Sequence, residues 1–445
     1  MNAPEFQPTA SLPIAGTTTV LEASAGTGKT YALATLVTRY VAEGVPLGQI
    51  LAVTFSRRAT AELRSTIRGR LLTDRAVLAG ESPPTDTVAE LLAGGDPDSR
   101  ELRRSRLTRA IQALPDAPIC TLHTFANRML AELGLLADHD PGSRLVTDLS
   151  DLAQEVIADC YLADPATQAR LEWPVAETIG RAAIAHCFEP LYPQSDPASA
   201  VEIGYAGRVR AELDRRKRTR RLLSHDDLIG RLATTLHDPA RGPAAAAALA
   251  ARFRVVLVDE FQDTDPQQWE FLRLAFGPGN RGSRSALILI GDPKQAIYRF
   301  RGGDIETYTA ARAQADRFAV LSVNHRSDEP VVRGVEALFG GVDLGTPSSA
   351  VPFPTVAVHR QGSRLICDDP SAERVRLRAL RAPGQTQTAQ VRDWVCHDVV
   401  DQLNLLLSGG HRLLAPGPDG QPIERPVGPG DIAILVNQNR FGAQL

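Results

Sequence analysis

Lys29 and Thr30 close a loop of small residues, Ala23-Ser24-Ala25-Gly26-Thr27-Gly28. A cation and a hydroxyl at the end of such a loop suit a polyphosphate and a divalent ion. Gly26 and Gly28 can take backbone angles closed to other residues, turning successive N–H groups inward on an anion. Val20 and Leu21 before the loop read as a strand. Tyr31, Leu33, Leu36, Val37 and Tyr40 after it recur at helical spacing. Strand, loop and helix N-terminus make a phosphate cradle. In it Lys29 reaches the β- and γ-phosphates of ATP and Thr30 holds Mg²⁺. The strict pattern opens on glycine; Ala23 stands there instead, and a residue this small still permits the turn. The plain alternative is a glycine-rich turn with no ligand.

Further chemistry sits at the ends of apolar runs. FRVVLVDEF (253–261) ends in two carboxylates. Asp259 suits Mg²⁺, and Glu260 suits the polarisation of an attacking water. A merely capped helix is the alternative, but Asp263, Asp265 and Pro266 already supply that cap. The run from Ala286 to Ile290 ends in Gly-Asp-Pro-Lys-Gln, where Gln295 can report on the γ-phosphate. Tyr298 and Phe300 then alternate with Arg299 and Arg301, the composition of a base-stacking platform. Thr54, Phe55 and Ser56 close another run, followed by Arg57, Arg58, Arg64 and Arg68. That segment reads equally as a phosphate- and base-binding strand end or as a solvated amphipathic helix. His123, Thr124 and Phe125 mark a strand–helix turn; without metal-ligand spacing, His123 reads as a hydrogen-bonding turn residue. A strand over FAVLSVNHRS ends at Asn324-His325-Arg326-Ser327, and Arg326 can reach a γ-phosphate across an interface. The basic block from Arg208 to Arg221 reads first as a solvated helix face and second as a nucleic-acid contact.

Composition narrows the classes. Of 49 Lys and Arg among 445 residues, only Lys29, Lys217 and Lys294 are lysine, so lysine marks special sites. The net charge of −3 makes any nucleic-acid surface local. Five scattered cysteines fit a reduced cytoplasm. The N-terminus shows no signal-peptide pattern, and no apolar run approaches the roughly 20 residues of a membrane helix.

These motifs imply an α/β chain with interrupted domains. Residues 1–75, 118–130 and 251–310 supply the first domain, with helical insertions at 76–117 and 131–250. Residues 311–445 form a second, incomplete domain. It contains short β-like segments (TVAVHR, RVRLRAL), one helix near 386–407 and a last buried strand over GDIAILVNQN.

Four stretches, ASAGTGKT, VLVDEFQDTDPQQW, LIGDPKQAIYRFRGGD and LSVNHRS, resemble in order and spacing the UvrD/RecB-like superfamily 1 DNA helicases. VTFSRRATAELRSTIR, TLHTFANRML and SHDDL are also similar to family motifs, and the likeness spans about residues 17–440. Within the family the wording is most similar to the RecB-type branch, with the AddA-type nuclease subunits next. The resemblance implies a RecA-like P-loop motor domain with a helical insertion, then a partial second RecA-like domain, the two closing around ATP. It implies ATP-driven 3′→5′ movement on single-stranded DNA, action on double-stranded DNA in break repair and recombination, and RecC- and RecD-like partner subunits. Residue by residue, it assigns Ala23–Thr30 to ATP, Thr30 and Asp259 to Mg²⁺, and Glu260, Gln295 and Arg326 to catalysis. Thr54, Phe55, His123, Phe125, Tyr298 and Arg299 would line the DNA path.

Three departures qualify the likeness. The family's adenine-stacking aromatic before the arginine is His325 here, and a smaller ring stacks less area. A glutamine upstream of the loop has no good counterpart; Gln7 is a poor candidate. The late motor motifs and a nuclease domain have no counterpart, so no nuclease activity is expected, and ATP turnover is expected to suffer. The competing function is a catalytically weak ATP- and DNA-binding subunit that acts only with partners. A small-molecule kinase or transport ATPase leaves IGDPKQAIYRFRG unexplained.

Overall fold

The computed structural model describes residues 4–13, 15–137, 140, 142–188, 191–192, 199–278, 280, 284–297, 303–367, 374–379, 381, 384, 387–417, 421–436 and 438–442. They fall into two compact units. One is residues 1–23 with 29–321; the other is residues 24–28 with 322–445.

In the first unit the chain runs β1 (Thr18–Ala23), α1 (Lys29–Ala42), β2 (Ile50–Thr54), α2 (Arg57–Leu78), α3 (Thr87–Ala93), α4 (Pro97–Ala113), β3 (Ile119–Thr121) and α5 (Leu122–Leu133). Next come β4 (Arg144–Leu145), α6 (Ser150–Leu162), α7 (Pro165–Arg170), α8 (Trp173–Ala185), α9 (Ala200–Thr219), β5 (Leu222–Leu223), α10 (His225–His237) and α11 (Gly242–Arg252). The unit closes with β6 (Val255–Val258), α12 (Pro266–Ala275), β7 (Ala286–Gly291), α13 (Ile305–Ala313) and β8 (Arg317–Leu321).

Six strands make one parallel sheet in the order β3-β2-β6-β7-β1-β8. Alternate residues feed opposite cores, as the pleat requires. Val20, Leu51, Val53, Val256, Val258, Leu287 and Leu289 face one core, shared with α5, α10, α11 and α12. Leu21, Ile50, Ala52, Val255, Leu257, Ile288 and Ile290 face the other, shared with α1, α2 and α4. Helices on both faces explain why these strands read as unbroken apolar runs. β1 lies inside the sheet, between β7 and β8, and the carboxyl ends of these parallel strands are the edge where open α/β sheets take ligands. A third core, with Val156, Ile157, Tyr205 and Val209, holds α6, α8 and α9 together.

The second unit contains β9 (Val323–Asp328), α14 (Glu329–Phe339), β10 (Ala357–Arg360), β11 (Leu365–Cys367), α15 (Thr388–Leu407), β12 (His411–Pro416) and β13 (Pro422–Pro426). β9 and β10 are parallel, and β11-β12-β13 is antiparallel. No residue of α15 is buried.

Three expectations change here. The single strand over FAVLSVNHRS is two: β8 pairs with β1 in the first sheet, and β9 pairs with β10. Ser322 marks the break, its carbonyl accepting from the Ala357 N–H at 2.7 Å. The last buried strand is absent. Residues 432–436 pair with no strand among the described residues, and Leu435 is 96% exposed. Residues 374–379 of RVRLRAL are also not a strand. An apolar run becomes a strand only where a neighbour satisfies its backbone.

Candidate nucleotide site

β1 ends at Ala23 and α1 begins at Lys29, so the intervening residues form the loop that the sequence requires. Gly26 and Gly28 have φ of 80° and 88°, in the left-handed region. Thr27 is buried and closes the turn, its Oγ1 donating to the Ser24 carbonyl at 2.8 Å. Within the second unit the loop is latched to β9. Asn324 Nδ2 donates to the Ala25 carbonyl at 3.1 Å, and the His325 N–H to the Gly26 carbonyl at 2.8 Å. A Cβ on Gly26 would lie 2.9 Å from Arg326 Cβ and from Asn324 Oδ1. Glycine is needed there for both its φ and this approach.

In the first unit, Lys29 Nζ lies 2.7 Å from Glu260 Oε2. Glu260 has φ 51° and ψ 42°, a left-handed conformation that costs a non-glycine residue about 1–3 kcal/mol and gathers at functional sites. The bonds around it hold it there. Gln262 Nε2 donates to Oε2 at 2.7 Å, and the Asp263 N–H to the Glu260 carbonyl at 2.9 Å. Its neighbour Asp259 has its carboxyl pushed up to about 6, by burial first and by the Glu260 charge second, against the pull of Lys29.

Gln262 extends this arrangement to the next strand end. Its Oε1 accepts the Asp292 N–H at 2.9 Å, and both residues are buried. Asp292 in turn accepts from Gln295 Nε2 at 2.6 Å through Oδ2 and from Lys294 Nζ at 2.6 Å through Oδ1. Gly291 is required beside them, since a Cβ would lie 2.8 Å from Gln262 Oε1. Lys29, Glu260, Gln262, Asp292 and Gln295 are thus one hydrogen-bonded chain.

In the first unit Lys29 and Thr30 open α1 at its positive end, and Asp259 is a half-buried carboxylate for which a cation would offset the cost of ionisation, a donor set whose chemistry suits a phosphate with a divalent cation. All three lysines are paired with carboxylates. Lys294 meets Asp292, and Lys217 of α9 forms a buried pair with Asp227 of α10.

The residues expected on the DNA path separate. Phe55 is on the surface, 37% exposed. Thr54 is buried, and its hydroxyl is engaged by the Ser56 carbonyl and by Thr60 Oγ1 at 2.6 Å. Phe125 is 2% exposed and packs against Phe253, Phe271 and Phe276. Thr54 and Phe125 are thus both core side chains, the first hydrogen-bonded and the second packed among phenylalanines. His123 packs edge-on against His225, and burial lowers its pKa. Tyr298 and Arg299 lie outside the described residues. Arg64 spends its guanidinium on the Leu114, Pro115, Ala117 and Ile119 carbonyls. Much of the basic block of α9 is neutralised by acids. Arg208 pairs with Asp164, Arg215 and Arg216 with Glu212, and Arg218 with Asp214.

Residues 3–316 match the UvrD/REP helicase N-terminal domain. The chain belongs to the UvrD/REP helicase family. Among curated UvrD/REP-like relatives, it is 40% identical over 96% of its length to the RecBCD enzyme subunit RecB of Mycolicibacterium smegmatis, covering 39% of that protein. It is 39% identical over 98% of its length to the RecB subunit of Mycobacterium tuberculosis, again covering 39%. Against the RecB subunit of Escherichia coli, identity is 34% over 53% of the chain and 20% of the relative. The chain thus spans about two fifths of the length of the first two relatives. For this UvrD/REP chain the sequence reading missed Gln262 and Asp292, although both lie inside the motifs DEFQ and GDPKQ. Asn324 and His359 carried no signal of their own, because only folding brings them to residues 25 and 325.

Proposed function

We propose that this chain is the ATP-dependent motor part of a RecB-type DNA helicase acting in double-strand-break repair and recombination. The observation that carries the reading is the bonded chain from Lys29 through Glu260 and Gln262 to Asp292 and Gln295. It links a phosphate-binding lysine to a strand end outside the phosphate loop. Such a link is what coupling of hydrolysis to nucleic acid needs. The RecB names of the relatives favour this branch over an AddA-type subunit.

In this reading residues 1–75, 118–130 and 251–310 are the first RecA-like domain, 76–117 and 131–250 its helical insertions, and 311–445 part of a second RecA-like domain. Ser24–Thr30 bind the phosphates of ATP, with Ala23 leading in and His325 beside the base. Thr30 and Asp259 hold Mg²⁺, which when bound neutralises charge on the β- and γ-phosphates. Glu260 accepts a proton from the attacking water. Gln262 keeps Glu260 in its left-handed conformation and passes its position on to Asp292. Gln295 and Arg326 address the γ-phosphate. Phe55 stacks a base, together with Tyr298 and Arg299, while His123 borders the path. Movement is 3′→5′ on single-stranded DNA, in the cytoplasm, beside RecC- and RecD-like subunits.

The test is steady-state ATP hydrolysis with and without single-stranded DNA. DNA-stimulated hydrolysis that Glu260→Gln abolishes supports the reading; hydrolysis indifferent to both counts against it. Tight ATP and DNA binding with no turnover would favour the second reading, a binding subunit dependent on partners. The carboxylate–lysine pairing at Glu260 is compatible with that outcome.

A further inference from the structure

The position before Arg326 carries His325, a smaller ring than a tyrosine or tryptophan. The structure sets a second imidazole against it. The rings of His325 and His359 have centroids 4.5 Å apart and planes inclined at 44°. The strand register explains the meeting. Val358 pairs with Asn324, then the β9–β10 register shifts so that Arg360 pairs with Asp328. Residues 325–327 of β9 stand opposite the single residue His359 in that irregularity, which brings the two histidines together.

The main chain under this ring pair is fixed to the phosphate loop. The His325 N–H donates to the Gly26 carbonyl at 2.8 Å, and Asn324 Nδ2 to the Ala25 carbonyl at 3.1 Å. Asn324 Oδ1 accepts from the N–H groups of Arg326 and Ser327 at 3.0 and 2.8 Å. His325 is therefore anchored one hydrogen bond from the loop, while both imidazoles remain exposed.

We infer that His359 is a positioning residue for nucleobase recognition: it backs His325, and the two rings together form the stacking platform for the purine of a bound nucleoside triphosphate. The inference rests on the reading that residues 23–30 take that triphosphate. A ring backed on one side has one face left for the base and loses less rotamer freedom when the base binds. Local burial first, and the nearby His359 second, lower the pKa of His325, which favours its neutral ring. A neutral imidazole keeps the π-face that stacking uses.

The experiment measures equilibrium binding of ATP and of inorganic tripolyphosphate to wild type, His359→Ala and His359→Phe. Loss of the backing ring leaves His325 to be immobilised by the base itself, so His359→Ala should weaken ATP about two- to tenfold. Tripolyphosphate affinity should not change, and His359→Phe should restore ATP affinity. An ATP affinity unchanged in His359→Ala overturns the role of His359 alone. Equal losses for ATP and tripolyphosphate, or no rescue by phenylalanine, overturn it too. A wild type that binds neither ligand removes the nucleotide site itself, and the platform with it.

Discussion

Lys29 Nζ and Glu260 Oε2 stand 2.7 Å apart, so the lysine that opens α1 and the carboxylate that follows β6 neutralise each other. A γ-phosphate that engages Lys29 must compete with Glu260 for it. Glu260→Gln removes that competitor and the proposed proton acceptor together. ATP should bind at least as tightly as to wild type, while turnover falls by about 10²–10⁴. Calorimetric titration and phosphate-release assays read the two effects, and normal turnover would remove Glu260 from its role.

Gln262 holds Glu260 and the Asp292 N–H at once, through opposite ends of one amide. Gln262→Met keeps the volume and removes both bonds. A hydrogen bond to a charged group is worth about 1.5–3 kcal/mol, so kcat should fall roughly tenfold or more, with KM for ATP unchanged. A rise in KM at constant kcat would show that Gln262 serves binding and not the alignment of Glu260.

Lys217 and Asp227 form a buried ion pair between α9 and α10, and Asp227 also accepts the Ser224 N–H at 2.7 Å in a capping box. Removing one partner leaves an uncompensated charge. Lys217→Ala should cost about 3–5 kcal/mol in chemical denaturation, and Lys217→Met with Asp227→Asn much less. Equal losses in the two variants would mean that packing, not charge, sets the cost.

Glu22, at the end of β1, is raised above its ordinary value of 4.5 by burial, against the attraction of Arg312 and Lys294. A carboxyl raised in the folded state favours folding while protonated. That contribution is complete below its unfolded pKa and is lost as pH rises through the folded one. Glu22→Gln should therefore raise Tm at pH 7–8, and the gain should vanish near pH 4. A gain that persists at pH 4 would point to a cause other than ionisation.

Much of the candidate site was readable from the sequence because its residues lie close together in the chain. Glycines, lysine and threonine fall within eight residues, and the acidic pair closes an apolar run. The parallel sheet was legible too, since strands covered on both faces are apolar throughout. What escaped depends on long-range contact. An aromatic at a strand–helix turn reads the same whether it meets a base or three phenylalanines, and Phe125 meets the phenylalanines. The break at Ser322 is decided by pairing with β1 and β10, which periodicity does not encode. The apolar run at 432–436 lacks a pairing strand among the described residues, and its composition carries no sign of that.

The most direct test of the account is equilibrium ATP binding by wild type against Lys29→Ala. Loss of a charge-assisted contact to phosphate should weaken ATP at least about tenfold. Equal affinity in the two proteins would contradict the assignment of residues 23–30 as the phosphate loop, and with it the motor function proposed for the chain.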